Sequence, residues 1–224
     1  MNIVEYPDRD MMMMSLADRI AAELVSTLMH EDRATLVVPG GTTPGPVFDT
    51  LSTLHLEWDR VDVMLSDERW VPETSDRSNT RLLRERLLVG PAAAARLLPL
   101  YAPYDTPEEG LDALAAQIEG SLPITTLLVG MGADMHTASL FPGADKLEQA
   151  LDPHAPILLP MRAPGAPEPR ITLTAPVLRA AVNTHIVITG DEKRAALETA
   201  AKTHDPALAP ISILLHDATI HWAK

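Results

Sequence analysis

The chain has 224 residues, 46% hydrophobic and 22% charged, which is ordinary globular material of a length that suits one domain over residues 1–224. With no Cys it holds no disulfide, thiolate nucleophile, thiolate zinc site or iron–sulfur cluster. Its 18 Lys and Arg against 31 Asp and Glu give a net charge of −13, and with only 3 Trp, 3 Tyr and 2 Phe that balance argues against a nucleic-acid binder, while no apolar run nears the roughly 20 residues that span a bilayer.

In chain order, the first segment, Asn2 to Asp8, is short and acidic. No basic stretch leads into an apolar one, so a cytoplasmic protein is expected. From Asp8 to His30, Leu16, Ile20, Leu24 and Leu28 recur every four residues, the apolar stripe of an amphipathic helix. Met11 to Met14 lie within it as adaptable core filler. Ala34–Val38, Val61–Leu65, Thr125–Val129 and Thr184–Thr189 are short apolar runs bounded by turn residues, as suits parallel strands buried on both faces. Between them Pro44–His55, Asn79–Leu88, Pro107–Glu119 and Glu192–Ala201 have helical spacing. The alternation predicts an α/β fold of βαβ units, with a mostly parallel sheet and helices on both of its faces. Many of the 20 prolines fall between Phe141 and Pro176, a stretch expected to flank the active site, with strands near Ile157–Leu159 and from Arg170.

The unusual polar residues sit directly after the four apolar runs. In open parallel sheets ligands bind beyond the carboxyl ends of the strands, so these turns are expected to converge on one crevice. After Val38 comes Pro39-Gly-Gly-Thr-Thr-Pro44. Gly40 and Gly41 let the backbone approach a ligand, Thr42 and Thr43 offer hydroxyls, and the amides with the dipole of the next helix suit an anion. The same residues also fit a plain strand-to-helix turn capped by Thr43. After Leu65 comes Ser66-Asp-Glu-Arg-Trp-Val-Pro72, a charged turn that is either a solvated loop with a local Arg–carboxylate pair or a site in which Arg69 grips a phosphate and Asp67 orients a catalytic group or sugar hydroxyl. Asn79 is a ligand donor or the cap of the following helix.

After Val129, in Gly130-Met-Gly-Ala-Asp-Met-His136, the histidine is the best candidate for a general base near neutral pH. Asp134 or Asp67 would fix its tautomer. Lys193 opens the helix after Gly190, where its charge opposes the dipole unless it faces an anion. His216 and His221 lack metal spacing, and neither a metal nor a cofactor is expected. Ser139 and Ser66 are poor nucleophile candidates, having neither a G-x-S-x-G elbow nor an evident base.

Gly40-Gly-Thr-Thr-Pro44, Asp67-Glu-Arg-Trp-Val-Pro72 with Ser75, Ser78 and Asn79, Gly130-Met-Gly-Ala-Asp-Met-His-Thr-Ala-Ser-Leu-Phe-Pro-Gly143, Arg170-Ile-Thr172 and Gly190 with Lys193 resemble the 6-phosphogluconolactonases, relatives of the glucosamine-6-phosphate isomerases. The resemblance implies a single Rossmann-like three-layer α/β/α domain that hydrolyses 6-phospho-D-glucono-1,5-lactone, a small phosphosugar lactone, without a metal; a monomer or weak homodimer is expected. It puts the base on His136, the phosphate cations on Arg69 and Lys193, and a sugar-side carboxylate on Asp67, and it adds Arg170 to the substrate contacts. One departure stands out. Met135 replaces the Gly usual before the histidine, a strained choice if that position takes positive φ. Phe141 stands where the isomerases carry a proton-handling Glu. The alternatives are therefore an isomerase or deaminase, which Phe141 disfavours, and a non-catalytic sugar-phosphate module, which Met135 motivates.

Overall fold

A computed structural model describes all residues, 1–224. Strand β1 (Asn2–Glu5) leads into helix α1 (Arg9–Leu28). Asp8 starts this helix by accepting the Met11 amide at 2.8 Å, filling one of the donors that a helix start leaves open. Of the methionine run, Met12 and Met13 are buried and Met11 and Met14 exposed, as one helical stripe dictates.

β2 (Ala34–Val38), α2 (Gly45–Thr53), β3 (Val61–Leu65), β4 (Asp67–Arg69), α3 (Asn79–Arg86), β5 (Arg96–Leu97), α4 (Pro107–Glu119) and β6 (Thr126–Gly130) follow. The rest comprises α5 (Leu147–Leu151), β7 (Leu158–Met161), β8 (Arg170–Leu173), α6 (Ala175–Arg179), β9 (Asn183–Thr189), α7 (Gly190–Lys202) and β10 (Thr219–Ala223). Seven strands form one sheet in the order β1-β10-β9-β6-β2-β3-β5, every pairing parallel, with helices flanking it. All five residues of β2 and of β3 are buried, which is why both read as unbroken apolar runs. From β2 the chain builds outward through β3 and β5, then returns to the other side of β2 with β6. The strand order therefore reverses between β2 and β6, which places the expected ligand crevice at their carboxyl ends.

Asp67-Glu-Arg69 is a strand, not the turn its charges suggest. β4 pairs antiparallel with β8, and β8 with β7, in a second sheet of three strands. Ser66 joins the two sheets. Its amide donates to the Val38 carbonyl and its own carbonyl accepts the Leu173 amide, each at 2.9 Å. One cluster of 54 buried apolar residues includes Leu158, Leu159, Met161, Ile171 and Leu173 of the small sheet, so the Pro-rich stretch packs onto the main core and has none of its own.

At the amino edge, Asp62 on β3 is almost fully buried. It accepts from Arg33 Nε at 3.0 Å, Arg96 Nε at 2.8 Å and the Ser121 hydroxyl at 2.8 Å. Burial alone would raise its pKa, but these bonds outweigh it and hold the carboxyl below its ordinary range. His216 is exposed on the surface. His221 is buried: its Nδ1 meets the Tyr6 hydroxyl at 2.9 Å, its Nε2 meets His185 Nδ1 at 3.1 Å, and His185 Nε2 reaches Glu23 at 3.0 Å. Burial and the neighbouring His185 and Arg19 push His221 down to about 3, so it stays neutral within the core.

Candidate active site

A cleft of about 220 Å³ opens at the carboxyl ends of β2 and β6. The turns after β2 and β6, strand β4 after β3 and the start of α7 after β9 all reach it. Its lining includes Gly40, Gly41, Thr43, Asp67, Arg69, Asn79, Gly132, His136, Arg170 and Lys193. Thr42 is exposed and outside the lining, and Asp134 borders the cleft only through His136.

The Gly40–Thr43 segment is neither helix nor strand, and none of its four amides donates to a protein acceptor. Gly41 has φ +83, and no side chain caps α2, so Thr43 is not the cap. A Cβ on Gly40 would lie 2.1 Å from the Asn79 side chain, so glycine is what lets these two cleft walls touch. Ser78, not Asn79, caps α3, its hydroxyl accepting the Arg81 amide at 3.2 Å. That frees the Asn79 carboxamide to donate to the Asp67 carbonyl at 3.3 Å and to face the cleft.

Strand alternation sorts the three charges of β4. Asp67 and Arg69 line the cleft, while Glu68 turns the other way into the interior. There Glu68 accepts the amides of Arg69 at 2.8 Å, Asn79 at 2.9 Å and Thr80 at 2.7 Å, and the Thr80 hydroxyl at 2.7 Å. Burial raises its pKa, with those donors opposing the rise. Glu68 thus ties the start of α3 to β4 and sets Asn79 beside Arg69. Asp67 is held by two hydroxyls, Ser66 Oγ at 2.9 Å and Ser139 Oγ at 2.5 Å. These serines act on a carboxylate and are not arranged as nucleophiles.

Three cations line the cleft, and none is hydrogen-bonded to a carboxylate. Arg69 spends one donor on the Arg77 carbonyl at 2.7 Å, and its Nε is buried without a partner. Arg170 stands 3.8 Å from Asp67 with Nε likewise unpartnered, and burial lowers its pKa. Lys193 makes no ion pair. Buried donors left open in a concave site suit an anionic ligand.

His136 Nδ1 lies 2.5 Å from Asp134 Oδ1, which also accepts the His136 amide at 3.2 Å. An ionised carboxylate only accepts, so Nδ1 is the donor in this contact, and in the neutral ring the lone pair falls on Nε2. Asp134, not Asp67, is the carboxylate in contact with the imidazole. A Cβ on Gly132 would lie 2.2 Å from that ring and 2.4 Å from Asp134, so the pair needs a glycine beneath it. Met135 does take the left-handed conformation, φ +66. Its carbonyl accepts the Ile211 amide at 3.0 Å, its amide donates to Gly132, and its half-buried side chain packs on the core.

Fold and cleft define an α/β protein with an imidazole and an anion-receptive pocket at the switch point of a parallel sheet. The family model of glucosamine-6-phosphate isomerases/6-phosphogluconolactonase matches residues 7–222. A 6-phosphogluconolactonase of Rhizobium meliloti is 41% identical over 100% of this chain and 98% of its own length. One of Pseudomonas aeruginosa is 42% identical over 92% of this chain and 88% of its own. The crystal structure of a 6-phosphogluconolactonase from Shewanella baltica superposes with a TM-score of 0.96 at 31% identity, covering 100% of this chain and 97% of that one. The chain belongs to the glucosamine-6-phosphate isomerase/6-phosphogluconolactonase family.

Proposed function

We propose that this protein is a lactone hydrolase that opens 6-phospho-D-glucono-1,5-lactone to 6-phosphogluconate, working as one domain. The relatives' shared name and the cleft chemistry point the same way. The observation that carries the mechanism is an imidazole tethered through Nδ1, sharing one cleft with three cations that no carboxylate bonds.

Arg69 and Lys193 hold the phosphate, with the free amides of Gly40 to Thr43 in the same cleft and Arg170 beside Arg69 as its antiparallel partner on β8. Asp67 and Asn79 contact sugar hydroxyls. This anchoring sets the lactone carbonyl near His136, and such placement supplies a large part of a rate gain. His136 Nε2 takes a proton from water as the water oxygen attacks C1. Asp134 stabilises the imidazolium that forms. When the C1–ring oxygen bond breaks, His136 returns the proton to that oxygen, and the ring opens to the acid. General acid–base assistance of this kind contributes about 10²–10⁴-fold.

The test generates the lactone in situ by oxidising glucose 6-phosphate and follows its decay. The expected result is decay well above the spontaneous rate. Binding of 6-phosphogluconate without acceleration would make the chain a sugar-phosphate-binding module, and ammonia release from glucosamine 6-phosphate would make it a deaminase.

A further inference from the structure

Beside the cleft one hydrocarbon ring touches two of its lining side chains. The Phe141 ring is centred 4.2 Å from the His136 imidazole, with the planes inclined at 32°. On β8, the guanidinium carbon of Arg170 lies 5.1 Å from the centre of the same ring. His136 and Arg170 both line the cleft, and Phe141 does not.

The need for such a ring follows from how His136 is tied. The Nδ1 contact to Asp134 fixes one point, and the Asp134 side chain is itself 53% exposed. A ring held at one point pivots about that bond, and the pivot swings Nε2 away from a water in the cleft. A flat face 4.2 Å away blocks the pivot without using either ring nitrogen. Arg170 clamps the Phe141 ring by a cation–π contact, which also uses none of its N–H donors. A polar residue in this place would consume donors that the ligand needs.

We propose that Phe141 is a positioning residue for the hydrolytic step, a spacer in contact with both Arg170 and His136 that holds the imidazole with Nε2 toward the cleft. The proposal rests on the reading of His136 as the base.

Three variants test it: Phe141→Leu, Phe141→Tyr and, as reference, His136→Ala. Leu fills much of the space but has no flat face, so kcat should fall roughly tenfold, while affinity for 6-phosphogluconate stays within about twofold. Phe141→Tyr keeps the ring and should retain kcat within about twofold. The His136 Cε1 proton resonance, assigned by its loss in His136→Ala, should carry the ring-current shift of a stacked aromatic in the parent and Phe141→Tyr, and lose it in Phe141→Leu. Unchanged kcat in Phe141→Leu, equal losses in the Leu and Tyr variants, or a resonance indifferent to the ring would each overturn the proposal. Full turnover in His136→Ala would overturn the base assignment instead, and an inactive His136→Ala beside a fully active Phe141→Leu would overturn the positioning role alone.

Discussion

The two ends of β3 each set an aspartate among arginines, with opposite outcomes. At the amino edge Asp62 takes hydrogen bonds from Arg33 and Arg96 directly, so both guanidiniums are paired with the one carboxylate. At the carboxyl edge Asp67 is occupied by the hydroxyls of Ser66 and Ser139, and Arg170 stops 3.8 Å short. Neutral hydroxyls hold the Asp67 carboxylate in place, so Arg170 meets it as a longer ion pair with no hydrogen bond, its N–H donors left for a ligand. The same residue types thus make a clamp at one edge and a receptor at the other, and the difference lies in which groups are left unpaired. For a chain of net charge −13, this is how a cationic cleft survives among so many acids.

The contrast breaks if changes at the carboxyl edge cost stability while changes at the amino edge cost turnover. The largest effect is expected from His136→Ala: kcat lower by about 10²–10⁴-fold with little change in KM or in thermal stability. Next comes Arg69→Ala. Losing a charge-assisted bond to phosphate should weaken 6-phosphogluconate binding by about 10–100-fold, measurable by calorimetry, with the fold intact. Unaltered affinity would take the phosphate away from Arg69.

Asp62→Asn should do the reverse, leaving kcat alone and lowering stability by about 1–3 kcal/mol, since Arg33 and Arg96 are partly exposed and regain water. Its pH dependence sharpens the point. A carboxyl held below its ordinary 3.8 contributes stability above that value and loses it as pH falls through the lowered folded value. Denaturation curves of the parent and Asp62→Asn should therefore converge in acid; a gap that persists there would mean that packing, not charge, is what Asp62 supplies. The smallest effect belongs to the backbone. With Met135 at φ +66, Met135→Gly should be more stable than Met135→Ala by about 1 kcal/mol, the reverse of the order at an ordinary position.

Much of this architecture is legible in the residues because the central strands are buried on both faces and the helices carry one stripe. Helix α4 lies at Pro107–Glu119, where its pattern places it, and Thr125–Val129 is displaced from β6 by one residue. The convergence of the Gly-rich turns follows from topology alone. β4 is hidden because it is three charged residues long and its partner β8 comes about a hundred positions later, a pairing that leaves no local periodicity. For the same reason Ser139 shows no link to Asp67, 72 residues away. The bond between Asp134 and His136 is local, two residues apart, and the spacing itself suggests it. Nothing near Glu68 marks it either, because its partners are mostly backbone amides. The two-residue period of a strand is the one signal that separates it from Asp67 and Arg69.

Ser66 has a further consequence. Its peptide groups bond to Val38 on one side and Leu173 on the other, so a single residue stitches the two sheets together at the cleft's floor. Walls joined at such a seam do not swing apart as hinged lobes do. Selection among sugars at the proposed site would then rest on shape and charge already in place at this seam.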